Sequence, residues 1–370
     1  MPDAIAGAAV STRANAWSPD GPHHRVADHA ASGALRDLLE HHRASYAPEP
    51  LSEGAVFGLS GALDLSVRIA ATGVPPIDLD GRAPSLELDV CRHLGFEAQW
   101  IATDDPAAAW ERLRDEIEKG EPTLVRADLG ELDYQREHRH DTRHAVLVTG
   151  RDVPARAVWV LDHRFADPQR CTLASLAAAR ASRGWPGPVR HGMLRLRRPG
   201  RLAEPRAAVE SALRRVVRSM RHPHRSAHPH AISGLDGIDA LVAAWPRLPQ
   251  LAGPRLGQAL AALRFRIRDG GCGGALYRSL QARFLHDAAA LLGSAQLGRA
   301  ALACDDLADA WRAFAAATGD GDPRCGHQVS APWLERVRTL EHRHVEALEV
   351  QLGMRRATSA RSSPGAWRST

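Results

Sequence analysis

Residues 144–162 read HAVLVTGRDVPARAVWVLD. Two short apolar, β-branched runs, HAVLVTG (144–150) and AVWVLD (157–162), flank the turn-rich RDVPA. The pattern is that of an antiparallel hairpin. Pairing Gly150 with Arg156 sets His144 opposite Asp162 on one sheet face, where opposed Cβ atoms lie about 4.5–5.5 Å apart. A carboxylate in that place fixes the tautomer of a general-base histidine. From the hairpin alone the two residues read more readily as an ordinary polar pair at strand ends near the surface.

Working outward, PTLVRAD (122–128) is a third strand and HGMLRLRR (191–198) a returning one. Helices are expected around residues 85–95, stopped by Gly95, over 105–120, stopped by Gly120, and in LASLAAARA after Thr172. A further helix begins near residue 29, where DHAASGALRDLLEHHR spaces Ala31, Leu35, Leu38 and Leu39 along one face and Asp28 stands ready to cap. Composition changes near Pro199–Gly200, after which every segment has helical periodicity. The fold class is therefore α+β: an antiparallel-sheet domain over 21–200, then an all-helical domain over 201–353. Non-periodic tails at 1–20 and 354–370 are expected to be disordered.

The chain has 370 residues, 44% hydrophobic and 25% charged, which suffices for one large core or two medium ones. A net charge of +5 is modest. Without basic runs interleaved with aromatics it does not point to nucleic acid. No apolar run approaches the roughly 18 residues of a membrane span, and the amino terminus lacks a basic, then apolar, leader, so a cytoplasmic protein is expected. The five cysteines, Cys91, Cys171, Cys272, Cys304 and Cys325, are scattered without a CxxC pair, which argues against a disulfide framework or a zinc knuckle. RHPHRSAHPH (221–230) carries His222, His224, His228 and His230 but no acid or thiol among them, so no metal site is expected.

DHAASGALRDLL (28–39), LSEGAVFGLSGALDL (51–65), HRHDTRHAVLVTGRD (138–152) and VWVLDHRF (158–165), followed by TLASLAAAR, resemble the amino-terminal domain of the butirosin biosynthesis protein H family. GLDGIDALVAAWP (234–246) and IRDGGCGGALYRSLQARFLHDAAALL (267–292) resemble the uncharacterised helical domain that accompanies it. The resemblance covers roughly residues 21 to 320. It implies a papain-like (cysteine-peptidase-like) domain with an antiparallel sheet and a central helix. It also implies an acyltransferase that moves an acyl group from the phosphopantetheine thioester of an acyl carrier protein to an aminoglycoside amine. No cofactor is implied beyond that arm of the carrier substrate.

In the family a Cys at the start of the central helix takes the acyl group, a His serves as base and an Asp orients it. His144 falls on the family's histidine and Asp162 on its aspartate. Glu53 falls on the Glu of the LSE motif, and Gly58 and Gly61 on the glycine-rich turn; all three are expected at the substrate, with Glu53 alternatively a helix-capping acid beside Ser52. Where the family has His-Cys, this chain has His29-Ala30, which closes the covalent route. Ser32 lies about 200° round the helix and points elsewhere. Ala62 and Leu65 also depart from the family pattern.

Tyr134, on the loop before the base strand, is a candidate acceptor contact. Gly270, Gly271, Gly273 and Gly274 form either a phosphate-binding turn with Arg278 nearby or a tight interhelical turn. Arg214, Arg215, Arg218 and Arg221, on a helix over 207–221, read either as a solvated face or as a docking patch for the acidic carrier. Two functions remain open: direct aminolysis of a carrier-bound thioester with His144 as base, or a non-catalytic homologue that binds a carrier, an acyl chain or a pathway enzyme.

Overall fold

The computed structural model describes residues 22–69, 76–136, 139–222, 231–270, 272–319 and 321–354. The expected tails, but for Met354, and most of the histidine run (His224, His228 and His230) lie outside them. The chain opens with helices α1 (Ala30–His41) and α2 (Glu53–Leu59), then strands β1 (Leu63–Ile69) and β2 (Ile77–Arg82). Next come α3 (Leu86–Leu94), β3 (Glu97–Ile101), α4 (Pro106–Glu118), β4 (Thr123–Ala127), β5 (His144–Asp152), β6 (Ala157–Leu161), β7 (Gln169–Thr172), α5 (Leu173–Ala181) and β8 (Met193–Arg197).

From there the chain is helical: α6 (Pro205–Arg221), α7 (Gly234–Ala244), α8 (Leu248–Ala252), α9 (Leu256–Arg264), α10 (Arg278–Leu292), α11 (Ala295–Ala317) and α12 (Pro323–Gln351). One two-residue strand, β9 (Ile232–Ser233), interrupts it. The α+β class, with antiparallel sheets followed by a helical region, is what the structure shows.

Six strands form an antiparallel sheet in the order β3-β8-β4-β5-β6-β7, and a second sheet runs β2-β1-β9. α1 packs on β5, and its first ten residues, Ala30 to Leu39, are all buried, so it is the central helix. Its cap differs from expectation. His29 holds the N-cap position, its Nδ1 accepting from Ser32 N at 3.3 Å, while the Asp28 carboxylate pairs instead with Arg283.

The hairpin forms, but in another register. Leu147 faces Leu161 and Val148 faces Val160; a bulge follows, after which Gly150 faces Trp159 and Asp152 faces Ala157. The extra residue goes into β5 because the turn closes tightly over Val153–Arg156, with Arg156 in the left-handed region at φ 50° and its N–H donating to Val153 O at 3.1 Å. His144 is therefore not directly opposite Asp162. Asp162 lies one residue past the end of β6, and from there its side chain reaches back to the start of β5.

The compositional change near Pro199–Gly200 marks a change of element type and not a seam in the core. One continuous apolar cluster contains α1, β1, α3, α6, α9, α10, α11 and α12 side chains. β9 pairs with β1 across the expected boundary, and α10 packs on α2. A smaller cluster lies on the other face of the large sheet, under α4 and α5.

Candidate active site

A cavity of about 360 Å³ opens where α1 begins, β5 begins and the loop before α10 closes over them. Ala30, 9% exposed, lines it together with His29, His144 and His163. Its far wall includes Phe265, Gly270, Gly273, Gly274 and Tyr277, so three glycines of the cluster line the cavity, and Gly271 lies outside the described residues.

The His144 imidazole is fixed by its Nε2, 2.7 Å from Asp162 Oδ2. The same carboxylate oxygen accepts from Tyr134 OH and Gln135 Nε2, each at 2.9 Å, and Oδ1 accepts from Arg164 N at 3.3 Å. Burial alone would raise the Asp162 carboxyl, but His144 and then His163 hold it well below the usual carboxylate range. Burial and the neighbouring carboxylate push the Tyr134 phenol well above its ordinary value, so it stays a donor. With Nε2 donating to a charged Asp162, the imidazole keeps its lone pair on Nδ1, which makes no hydrogen bond among the described residues. The imidazole is thus held in one tautomer and one orientation.

His29 and His163 complete the histidine cluster. His163 lies 5.4 Å from His144 between ring centroids, with Nδ1 3.0 Å from Asp162 Oδ1. Burial, followed by the Arg82 guanidinium, pushes His29 well below its ordinary value; burial also lowers His163, against the pull of Asp162. The two side histidines are therefore neutral at pH 7. His144, Asp162 and His163 offer atoms within 4.8 Å of one another, a spacing that could hold a cation. Three donors already converge on Asp162 Oδ2, however, and the set is organised as a hydrogen-bonded dyad.

As the His29-Ala30 pair leads one to expect, no thiol stands at the start of α1. Ser32 is fully buried; its Oγ donates to Glu53 Oε1 at 3.1 Å and does not line the cavity. Cys91 and Cys171 lie in the two apolar clusters. Cys272 does line the cavity, but it is 2% exposed, with its Sγ 3.2 Å from Arg266 O and 3.0 Å from Ile267 O. Burial pushes that thiol up, away from the thiolate form.

Other expected site residues lie elsewhere. Glu53 accepts from the backbone N–H groups of His29 at 2.9 Å and Asp28 at 3.1 Å, so it pins the start of α1 from outside the cavity. Ser52 caps α2, accepting from Ala55 N at 2.9 Å. Gly58 faces α10, where a Cβ would stand 1.9 Å from Phe284 Cγ, and Gly61 turns at φ +63° against Ala212 O; both serve packing. Tyr134 supports Asp162 and is not a cavity-wall residue.

The α6 arginines divide. Arg215 pairs with Asp89 at 2.7 Å and Arg221 with Glu349 at 2.8 Å, tying α6 to α3 and α12, while Arg214 and Arg218 remain exposed. Arg278 is fully buried against Glu341 at 2.8 Å, and its Nη1 donates to Leu276 O at 2.7 Å, so it braces the glycine loop from behind. Sequence reasoning missed Arg82, Arg143, His163 and Tyr277, which come from four separate segments. Arg143, His163 and Tyr277 stood inside segments already singled out, and Arg82 alone did not.

The butirosin biosynthesis protein H N-terminal family model matches residues 29–163, and a domain of unknown function (DUF4872) matches residues 174–348. No curated protein matches the chain. The first match spans α1, the base strand and Asp162, and the second contains the loop that walls the cavity. Residues 29–163 are thus similar to the butirosin biosynthesis protein H N-terminal family, and the DUF4872 match follows behind them.

Proposed function

We propose that this protein is an amide-forming acyltransferase of antibiotic-type biosynthesis that works by direct aminolysis, without an acyl-enzyme. His144 Nδ1, oriented by Asp162, takes a proton from an amine as its nitrogen attacks the carbonyl of a carrier-bound thioester. The C–N bond forms, the C–S bond breaks, and the proton passes to the departing pantetheine thiolate. One observation carries the reading: a positioned histidine–aspartate pair faces a cavity in which Ala30 stands where the family has its Cys. The donor would be an acyl carrier protein in the cytoplasm, with Arg214 and Arg218 its contacts on α6. No cofactor is required.

The test is product formation from an acylated carrier protein and candidate amines. The His144→Ala variant is expected to lose on the order of 10²–10⁴ in rate; equal rates would exclude His144 as the base. Ala30 itself favours a second reading, a binding protein without turnover. That reading wins if the parent is inert while Ala30→Cys gains a covalent acyl adduct.

A further inference from the structure

The cavity carries more positive charge than a base needs. Five arginines line it, Arg82, Arg139, Arg143, Arg164 and Arg268, against three aspartates. Two of those aspartates are engaged, Asp28 with Arg283 and Asp141 with Arg143. A polycationic aminoglycoside would bring several ammonium groups against this lining.

Arg82, at the end of β2, stands apart. Its Nε is buried without a partner and its Nη1 donates to the Ala83 carbonyl at 3.1 Å. No carboxylate of the described residues stands at ion-pair distance from it. Asp80, two residues back, is taken by Arg143 Nη1 at 2.9 Å, and the Glu87 carboxylate is outside the cavity. Arg82 is half-buried, and Glu87 and Asp80 balance its charge from beyond ion-pair distance, so its guanidinium keeps donors that no carboxylate contacts directly and that a small anion in the cavity could take.

Tyr277 lines the same part of the cavity, its ring edge-on to His29 at 5.2 Å and stacked on Phe57 at 5.4 Å. Its backbone is left-handed at φ 71°, strain of a kind that persists where the surroundings enforce it. Its hydroxyl has no hydrogen-bond partner among the described residues. The position also separates two kinds of anion. The phosphodiester of a carrier arm suits the exposed Arg268, whereas Arg82 is half-buried and near His29 and Tyr277.

We propose that Arg82, with Arg143 and the Tyr277 hydroxyl, forms a carboxylate subsite, and that the acceptor is a carboxylate-bearing amine of amino-acid type. Only the word acceptor rests on the acyl-transfer reading. The subsite itself is tested by binding alone. Calorimetric titration of the parent, without any acyl donor, uses a panel of α-amino acids, their methyl esters, succinate and inorganic phosphate. At least one free amino acid is expected to bind, with its methyl ester weaker on the order of 10- to 100-fold.

Arg82→Gln is expected to lose a similar factor and Arg82→Lys to recover part of it. The ester comparison needs no variant, so it stands if Arg82→Gln fails to fold. Equal binding of ester and acid, binding of phosphate alone, binding of succinate alone, or no binding overturns the proposal. Binding of an amino acid without any transfer would sustain the subsite and defeat the aminolysis.

Discussion

At the scale of single residues, the site is a histidine–aspartate pair with its hydrogen-bond supports intact, facing a cavity that Ala30 also lines. Asp162 collects donors from His144, Tyr134 and Gln135, so converting it to an amide removes the charge that stabilises the protonated base. Asp162→Asn is expected to lower the transfer rate by roughly 10²–10⁴ while circular dichroism shows the fold retained. Cys272→Ser, whose thiol faces backbone carbonyls, should stay within about tenfold of the parent; a loss as large as that of Asp162→Asn would make Cys272 the nucleophile. His144 and Asp162 were legible in the sequence because polar residues closing two apolar strands stand out. Arg82 and Tyr277 were not: one ends a strand and the other precedes a helix nearly two hundred positions later, and only packing brings them to one cavity.

At the scale of elements, the hairpin shows what periodicity reveals and what it hides. Strand identity followed from β-branched runs, but register depended on a bulge and on a left-handed Arg156, neither of which leaves a pattern in the residues. The contact between His144 and Asp162 survived the shifted register because Asp162 lies beyond its strand and its side chain reaches back. β1 was readable in hindsight: Leu63, Leu65 and Val67 alternate with Asp64, Ser66 and Arg68. Its buried polar face, covered by the helical region, disguised it.

The α2–α10 contact that holds this region is close-packed at Gly58. Gly58→Ala is expected to destabilise by about 1–3 kcal/mol or more in urea unfolding, because the added methyl meets the Phe284 ring. Gly187→Ala, in open space, is the control and should be near neutral. If both behaved alike, α2 and α10 would not be in contact as described.

At the scale of the whole molecule, two family segments share one core, and each supplies a wall of the cavity. A fragment ending near residue 200 would lose α6, α7 and α10, the helices that cover β1 and α2. It is expected to lack a cooperative thermal transition, whereas the full chain unfolds in one; an independently melting fragment would show two domains instead.

The helical core also carries an acid-sensitive group. His344 is buried with neither ring nitrogen partnered, and burial pushes it down to about 4 from 6.5. Between those values the unfolded chain binds a proton that the folded chain refuses, so stability is full above about pH 7 and falls as pH drops through the window. The loss from this one group is about 3 kcal/mol. His344→Leu is expected to flatten that limb of a stability–pH curve; an unchanged slope would assign it to other histidines.

Intact-protein mass spectrometry during turnover bears most directly on transfer without an acyl-enzyme. With an acylated carrier protein and an accepted amine, amide product should accumulate while the mass of the parent protein stays unchanged. An acyl adduct on the parent, or no product at all, would contradict direct aminolysis at His144.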